Sequence, residues 1–382
     1  MDKSVKRVPL YKQIEQYLLD QIRLNNWQPN HKLPSETELA EKFNVSRLTI
    51  KKAMQNLMEE GLLYRIQGKG TFLSSNLSGE PIAYSMDYSD SDKQSVAFIT
   101  PLAKTIRSLH LINGIEEELS KRGYHMIFCK TFNSKQLEKQ MIQEVIRKGV
   151  SGIIIYPVEG ETYNEKILEL TINQFPLVIV DRYLQGLDTN YVCADNVQGA
   201  YDATNHLIER GHTKIGIIST HSQGTSSIKD RLTGYEKALA EHNIPIEHRL
   251  RILHFHVDQV NQIIYNGIIS EYIKEELRLF LRQNPDMTAV FAVNSAIGLS
   301  VMETAIEIGL RIPEDLSVIF FDDYEYSGYS KIPPTYVNQH EYEIGTESAK
   351  LIISVIENPD QERQKVIIPT ELVVRKSTAN HF

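Results

Sequence analysis

Apolar residues recur along this 382-residue chain with a helical period at the front and in short continuous runs further on. Between residues 10 and 24, Leu10, Ile14, Leu18 and Ile22 fall on one face, which predicts a helix. The stretch 35–72, SETELAEKFNVSRLTIKKAMQNLMEEGLLYRIQGKGTF, predicts two further helices and two strands. Ser35 and Glu38 have capping-box spacing, and Leu39, Ala40 and Phe43 make the inner face of the helix they start. Ser46 is a second candidate cap. After it Ile50, Ala53, Met54 and Leu57 repeat at helical spacing, and Gly61 ends the run. Strands over 62–66 and 71–73 then flank Gln67-Gly68-Lys69-Gly70, whose glycines let backbone approach a surface closely.

Two helices, a tight turn and a glycine-tipped hairpin make a winged helix-turn-helix, a device for reading DNA. The side of the second helix opposite its apolar stripe carries Leu48, Lys52 and Gln55, with Lys51 beside them and Arg47 and Thr49 in the first turn. Singly, Arg47, Lys51, Lys52 and Lys69 also read as ordinary solvated charges. The order of caps, turn, stripe, outward basic residues and wing is what points to a major groove.

From residue 95 onward, strands alternate with helices. The expected order is strand 96–100, helix 112–122, strand 125–129, helix 135–148, strand 152–156, helix 165–173 and strand 177–180. Helix 196–209, strand 214–219, helix 231–242, a strand near 250–254 and a long helix near 263–282 follow. Strand 289–293, helix 296–307 and strand 318–321 come last. The runs GIIIY, PLVIV, IGIIS and AVFAV are too continuously apolar for a sheet with one wet face, so a parallel sheet covered on both sides is expected. Residues 76–93, rich in Ser, Asp, Gly and Pro, read as a linker between a domain at 1–75 and another at 94–382.

Ligands of such sheets sit beyond the carboxyl ends of the strands. Thr100, Tyr156, Asp181-Arg182, Asn294 and Asp322-Asp323 all follow strands, and Arg231 is expected to begin a helix after the polar loop HSQGTSSIKD. Gathered carboxylates, amides and arginines suit the hydroxyls of a small sugar. Taken alone, Asp181, Asn294 and Asp322 read nearly as well as caps of βα turns.

Charge sharpens the division. The net charge is −8, but residues 1–75 carry +4 and the remainder −12, so the basic part coincides with the helix-turn-helix. Cys129 and Cys193 are the only cysteines, which leaves no disulfide framework or cysteine-based zinc spacing and suits a reducing cytoplasm. Both are expected to be small buried apolar residues. MDKSVKRVPLYK lacks the apolar core of an export signal, and no apolar run approaches the length of a membrane span.

Several motifs resemble known families. Pro9-Leu10-Tyr11, Leu33-Pro34-Ser35-Glu36, 45–51 (VSRLTIK), Gly61-Leu62-Leu63 and 67–72 (QGKGTF) are similar, in register, to the DNA-binding domain of the GntR family of bacterial repressors. The resemblance implies double-stranded operator DNA as partner, with contacts at Arg47, Thr49 and Lys51 and at Gln67, Lys69 and Gly70 in the wing; Lys52, on the outward face, and Glu36, within the matched motif, are further DNA-binding candidates. Lys51 stands where that family usually has arginine, so a point charge replaces a planar fork.

VIVDRY, VCADNVQGAYDATNHLIERGHTKIGII, IKDRLTGYEKAL, IPPTYVNQ and LVVRKS resemble the periplasmic-binding-protein-like sensor of the LacI family. That likeness implies a two-lobed, doubly wound α/β domain hinged around a sugar, homodimerisation, and effector contacts at Asp181 or Arg182, Arg231, Asn294, Asp322 and Gln339. Ser295 departs from the aspartate usual there, and the linker lacks the hinge helix of LacI proteins. The combined architecture is that of sugar-responsive repressors, with L-arabinose as one implied effector.

Two other readings remain at this stage. Asp181, Asp322 and Asp323 could supply the paired carboxylates of a sugar-processing enzyme, although no GxSxG, Walker loop or HExxH is present. A sugar-binding module is the other. His254, His256 and Asp258, or His206 and His212, lack recognised metal-ligand spacing, so neither a metal nor another cofactor is expected.

Overall fold

The computed structural model describes residues 11–12, 14, 17–18, 31–43, 45–59, 62–66, 69–74, 94–101, 103–158, 164–221, 225–324 and 327–381. Gln67, Gly61 and the linker expected over 76–93 lie outside them. By contacts the chain divides into two compact units, Met1–Asp90 and Ser91–Phe382.

In the first unit, α1 (Glu36–Phe43) and α2 (Arg47–Glu59) precede the hairpin β1 (Leu63–Ile66) and β2 (Gly70–Leu73). The capping box forms reciprocally: Ser35 N–H donates to Glu38 Oε2 at 2.7 Å and Glu38 N–H donates to Ser35 Oγ at 3.3 Å. At α2, Thr49 N–H donates to Ser46 Oγ at 3.2 Å. Ile50, Ala53, Met54 and Leu57 are buried with Ile14, Leu18, Leu39, Leu63 and Leu73 in one core. The described part of the first expected helix, residues 11, 12, 14, 17 and 18, is helical. The hairpin pairs Leu63 with Leu73 and Ile66 with Gly70, antiparallel.

The second unit has two lobes. In the first lobe β3 (Ser95–Thr100), α3 (Ile106–Lys121), β4 (His125–Lys130), α4 (Lys135–Arg147), β5 (Gly152–Ile155), α5 (Glu165–Ile172), β6 (Leu177–Val180) and β7 (Asn190–Ala194) follow in sequence. The chain then builds the second lobe with α6 (Asn196–Glu209), β8 (Ile215–Thr220), α7 (Ser226–Glu241), β9 (Arg251–Phe255), α8 (Val257–Asn266) and α9 (Glu271–Gln283). β10 (Ala289–Ala292), α10 (Ser295–Glu307), β11 (Ser317–Phe321) and β12 (Thr335–Asn338) complete it. The chain returns through α11 (Glu341–Glu357) and β13 (Lys365–Ile368) to the first sheet, and β14 (Glu371–Val373) joins the second.

The sheets run β13-β7-β6-β5-β3-β4, wholly parallel, and β14-β12-β11-β10-β8-β9, in which β14 alone is antiparallel. Strand order reverses at β3/β5 and again at β8/β10, so each lobe opens a crevice at the carboxyl ends of those strands. Both faces are covered. Phe98, Ile154, Val178 and Val180 pack with Ile115 of α3 and Ile352 of α11, while Ala97, Ile99, Ile153 and Ile179 pack with Ile142 of α4 and Ile167 of α5. In the second lobe Val290, Val318 and Phe320 meet α9 and α10, and Ile217, Phe291 and Phe321 meet α6 and α7. Two-sided burial explains the uninterrupted apolar strands.

Several expectations need correction. The single long helix near 263–282 is two, because Gly267 takes the left-handed φ of 65° and ends α8, and Ser270 caps α9. α3 starts at Ile106, not 112, since Thr105 Oγ1 accepts from Ser108 N–H at 3.2 Å. Arg231 does not begin a helix: α7 starts at Ser226, leaving Arg231 in its second turn. β7, β12, α11, β13 and β14 are additional to the expected elements. Cys193 is buried, and burial pushes its thiol up to about 12, but Cys129 is only half-buried. Among the described residues no helix is long and apolar enough to cross a membrane.

Candidate functional site

In the first unit one hollow gathers Glu36, Arg47, Lys69 and Gly70 with Lys32 and Arg65. Glu36 is its pivot: Arg65 Nη2 donates to Oε1 at 2.8 Å, and Arg47 Nη2 lies 3.9 Å from Oε2. The carboxylate thereby ties the recognition helix α2 to the wing strand β1. Gly70 has φ of 124°, a backbone conformation that favours glycine, while the Lys32 side chain that a Cβ there would meet at 2.9 Å is flexible enough to move aside. Thr49 Oγ1 is bonded to Ser46 Oγ at 2.8 Å, Lys51 is exposed, and Lys52 Nζ sits 4.6 Å from the Tyr11 ring centroid. The expected outward lysine at 52 is thus turned toward the first helix. Arg65 was missed at the sequence level because a charged residue in a four-residue strand carries no periodic signal.

In the second unit a cavity of about 540 Å³ lies between the lobes. Thr100, Tyr156, Asp181, Arg182, Arg231, Asn294 and Asp322 line it, each at or just beyond the end of a strand or early in a helix. Gln339 is behind this lining, fully buried, and its Nε2 donates to Asp322 Oδ1. Asn294 also caps α10, accepting from Ile297 N–H at 2.9 Å, so only part of its amide faces the cavity.

The centre is a residue the sequence did not single out. Arg107, in the first turn of α3, donates from Nη2 to Asp181 at 2.5 Å, from Nη1 to Asp322 at 2.9 Å and from Nε to Glu341 at 2.8 Å. Asp181 belongs to the first lobe, Asp322 to the second and Glu341 to the returning α11, so one guanidinium binds three parts of the unit together. Burial opposes its charge, but Asp322, Asp181 and Glu341 outweigh burial and hold its pKa well above the usual value. For Asp181 burial acts upward and Arg107, Arg182 and Arg231 act downward, with a net lowering. Burial wins at Glu341, whose carboxyl is raised despite Arg107. Asp181 and Asp322 both adopt left-handed φ, 75° and 70°. Backbone strain of this sort at equivalent positions of two lobes persists where the surroundings impose it.

Arg231 is fixed differently. Its Nε donates to Asn196 Oδ1 at 2.8 Å, its Nη1 donates to the Val293 carbonyl at 2.6 Å, and its guanidinium lies 3.8 Å from the Phe321 ring centroid. Burial is the main cause of its lowered pKa, with Arg107 adding to it. Arg182 Nη2 reaches Tyr156 Oη at 3.2 Å. Arg107, Arg182 and Arg231 face Asp181, Asp322 and Glu341, so the polar end holds three fixed cations and three acidic groups. Such a site offers directional donors and acceptors with no net charge, which suits hydroxyls. Asp323 also lines the cavity, with its carboxylate 3.4 Å from Arg375 Nη2.

The histidines considered as metal ligands are engaged otherwise. His206 bonds Thr378 Oγ1 at 3.1 Å, His212 bonds Thr288 Oγ1 at 2.8 Å and the Ala379 carbonyl at 3.1 Å, and His254 lies 3.5 Å from Glu276. Among the described residues no group of three or more His, Cys, Asp or Glu side chains is placed to hold a metal ion.

Comparison with known proteins agrees with both units. Residues 10–73 match the gntR family of bacterial regulatory proteins, and residues 204–378 match the periplasmic binding protein-like domain. An arabinose metabolism transcriptional repressor of Geobacillus stearothermophilus is 30% identical over 98% of this chain and 98% of its own length. Another, from Halalkalibacterium halodurans, is 31% identical over 96% of this chain and 95% of its own. The structure of a LacI family transcriptional regulator from Enterococcus faecium with bound ribose covers 76% of this chain and all of its own, at 27% identity and a TM-score of 0.61. The relatives are transcription regulators, not enzymes. The chain belongs to the gntR family of bacterial transcriptional repressors, in the group that joins this DNA-binding domain to a LacI-like periplasmic-binding-protein domain.

Proposed function

We propose that this repressor binds operator DNA through its winged helix and is released when a small sugar enters the cleft of the second unit. The observation that carries the reading is the charge-balanced arginine–carboxylate cavity between two lobes, in a chain whose front part is a helix-turn-helix. Arg47, Thr49 and Lys51 meet the major groove, Lys52 adds charge beside it, and Gln67, Lys69 and Gly70 meet the backbone, with Glu36 orienting Arg47. Thr100, Tyr156, Asp181, Arg182, Arg231, Asn294 and Asp322 meet the effector, and Gln339 orients Asp322. The domains are taken as 1–75, a linker 76–93, and 94–382. Two copies dimerise through the second domain, so that a two-fold protein meets a roughly palindromic operator.

L-Arabinose is the first effector to try, supported by the names of the full-length relatives. The test is a gel shift on the DNA upstream of the protein's own gene, repeated with a panel of pentoses and hexoses. A retarded band that one sugar abolishes at micromolar to millimolar concentration supports the reading. Retardation that no sugar changes contradicts it.

A further inference from the structure

The cavity is larger than a monosaccharide and most of its lining is apolar. A cavity of about 150 Å³ holds one benzene, so a pentose, with ten non-hydrogen atoms, takes roughly 250 Å³ on that scale. About 540 Å³ lies between the lobes. Much of the remainder is walled by α8. Val257, Val260, Ile263 and Ile264 of α8 line the cavity, joined by Ile228 of α7 and Leu299 of α10. Val260, Ile263 and Ile228 belong to the second lobe's buried core, and Ile264 packs on it. This wall is therefore held by packing, while half-exposed Val257, Ile264 and Leu299 present aliphatic surface to the cavity.

Asn261 and Asn266 of α8 also reach the cavity, but along Val257, Ile264 and Leu299 a second sugar ring finds nothing to hydrogen-bond, and hydroxyls placed there would lose their water without replacement. An apolar group loses nothing on entering and removes Val257, Ile264 and Leu299 from water. We propose that the effector is a glycoside: a sugar whose hydroxyls meet the arginine–carboxylate end and whose apolar aglycone, about one ring in size, lies against α8. This inference rests on the sugar reading above and narrows it.

The experiment titrates the full chain calorimetrically with each free pentose and hexose of the panel, with the 4-nitrophenyl glycoside of each, and with the corresponding disaccharides. The expected result is one sugar whose nitrophenyl glycoside binds at least tenfold more tightly than the free sugar and more tightly than its disaccharide. In Ile264→Asn, and in Val257→Thr, whose near-identical shape protects folding, the ratio of the two affinities falls toward one. A free sugar that binds as well as its nitrophenyl glycoside, a disaccharide that binds better, or a ratio unchanged in both variants overturns the proposal while leaving the sugar reading intact. If no sugar or glycoside binds, both fall together.

Discussion

Arg107 sets the residue scale, because three acidic groups from separate parts of the fold depend on one guanidinium. Replacing it with alanine leaves Asp181, Asp322 and Glu341 facing one another without it. Loss of one partner from such a buried cluster costs about 3 kcal/mol. Arg107→Ala is therefore expected to lower the stability of the second unit by about that amount and to weaken sugar binding at least tenfold. Denaturant unfolding and calorimetric titration read the two effects; wild-type values in both would remove Arg107 from its central place. In the first unit, Arg47→Ala is expected to cost about 1–3 kcal/mol of operator affinity and to blur base preference, since the residue opens the recognition helix. Competition gel shifts against mutated operators measure it, and unchanged selectivity contradicts the assignment. Most cavity residues were legible in the sequence because they follow apolar strands directly. Arg107 was not: it lies seven residues beyond β3, and only the Thr105–Ser108 cap shows that a helix has already begun there.

Among elements, the contact between α3 and α11 is what carries Arg107 to Glu341. Gly114 and Gly345 make it close: a Cβ on Gly114 would lie 2.2 Å from the Tyr342 carbonyl oxygen, and one on Gly345 would lie 2.4 Å from that of Leu111. Gly114→Ala must push the helices apart, at about 1–3 kcal/mol, and it displaces Arg107 with them. The expected outcome is a lower unfolding midpoint together with weaker sugar binding, whereas a change in neither shows that the crossing is loose. A second device holds the C-terminal segment to the second lobe through His206 and His212. Burial, with Arg210 adding to it, lowers His206 from 6.5 to about 4, and burial also lowers His212. The unfolded chain therefore takes up these protons at higher pH than the folded one, so stability falls as pH drops below about 6.5 toward 4. Unfolding midpoints measured from pH 7 to pH 4.5 are expected to decline, and less steeply in His206→Gln; equal slopes would contradict it. The continuous apolar strands were readable because both faces of each sheet are covered. The α8–α9 break was not, since Ile263, Ile264, Ile273 and Leu277 keep helical spacing across Gly267. The short strands β13 and β14 at the sheet margins have partly exposed residues and little pattern.

For the whole molecule, release by a sugar requires that two binding events be coupled. If sugar lowers operator affinity by some factor, operator must lower sugar affinity by the same factor. The order of elements made a two-part regulator legible, since net positive charge is confined to the front and βα units to the rest. The direction of the coupling has no signature in residue types or spacing, because it depends on which lobe arrangement each ligand prefers. The most direct measurement is fluorescence anisotropy of a labelled fragment from upstream of the gene, bound by the full-length protein and titrated with L-arabinose and the other sugars of the panel. One of them is expected to return the anisotropy of free DNA in wild-type protein and to fail to do so in Arg231→Ala, which still binds the fragment. DNA that stays bound at every sugar concentration, or release that persists unchanged in Arg231→Ala, would contradict it.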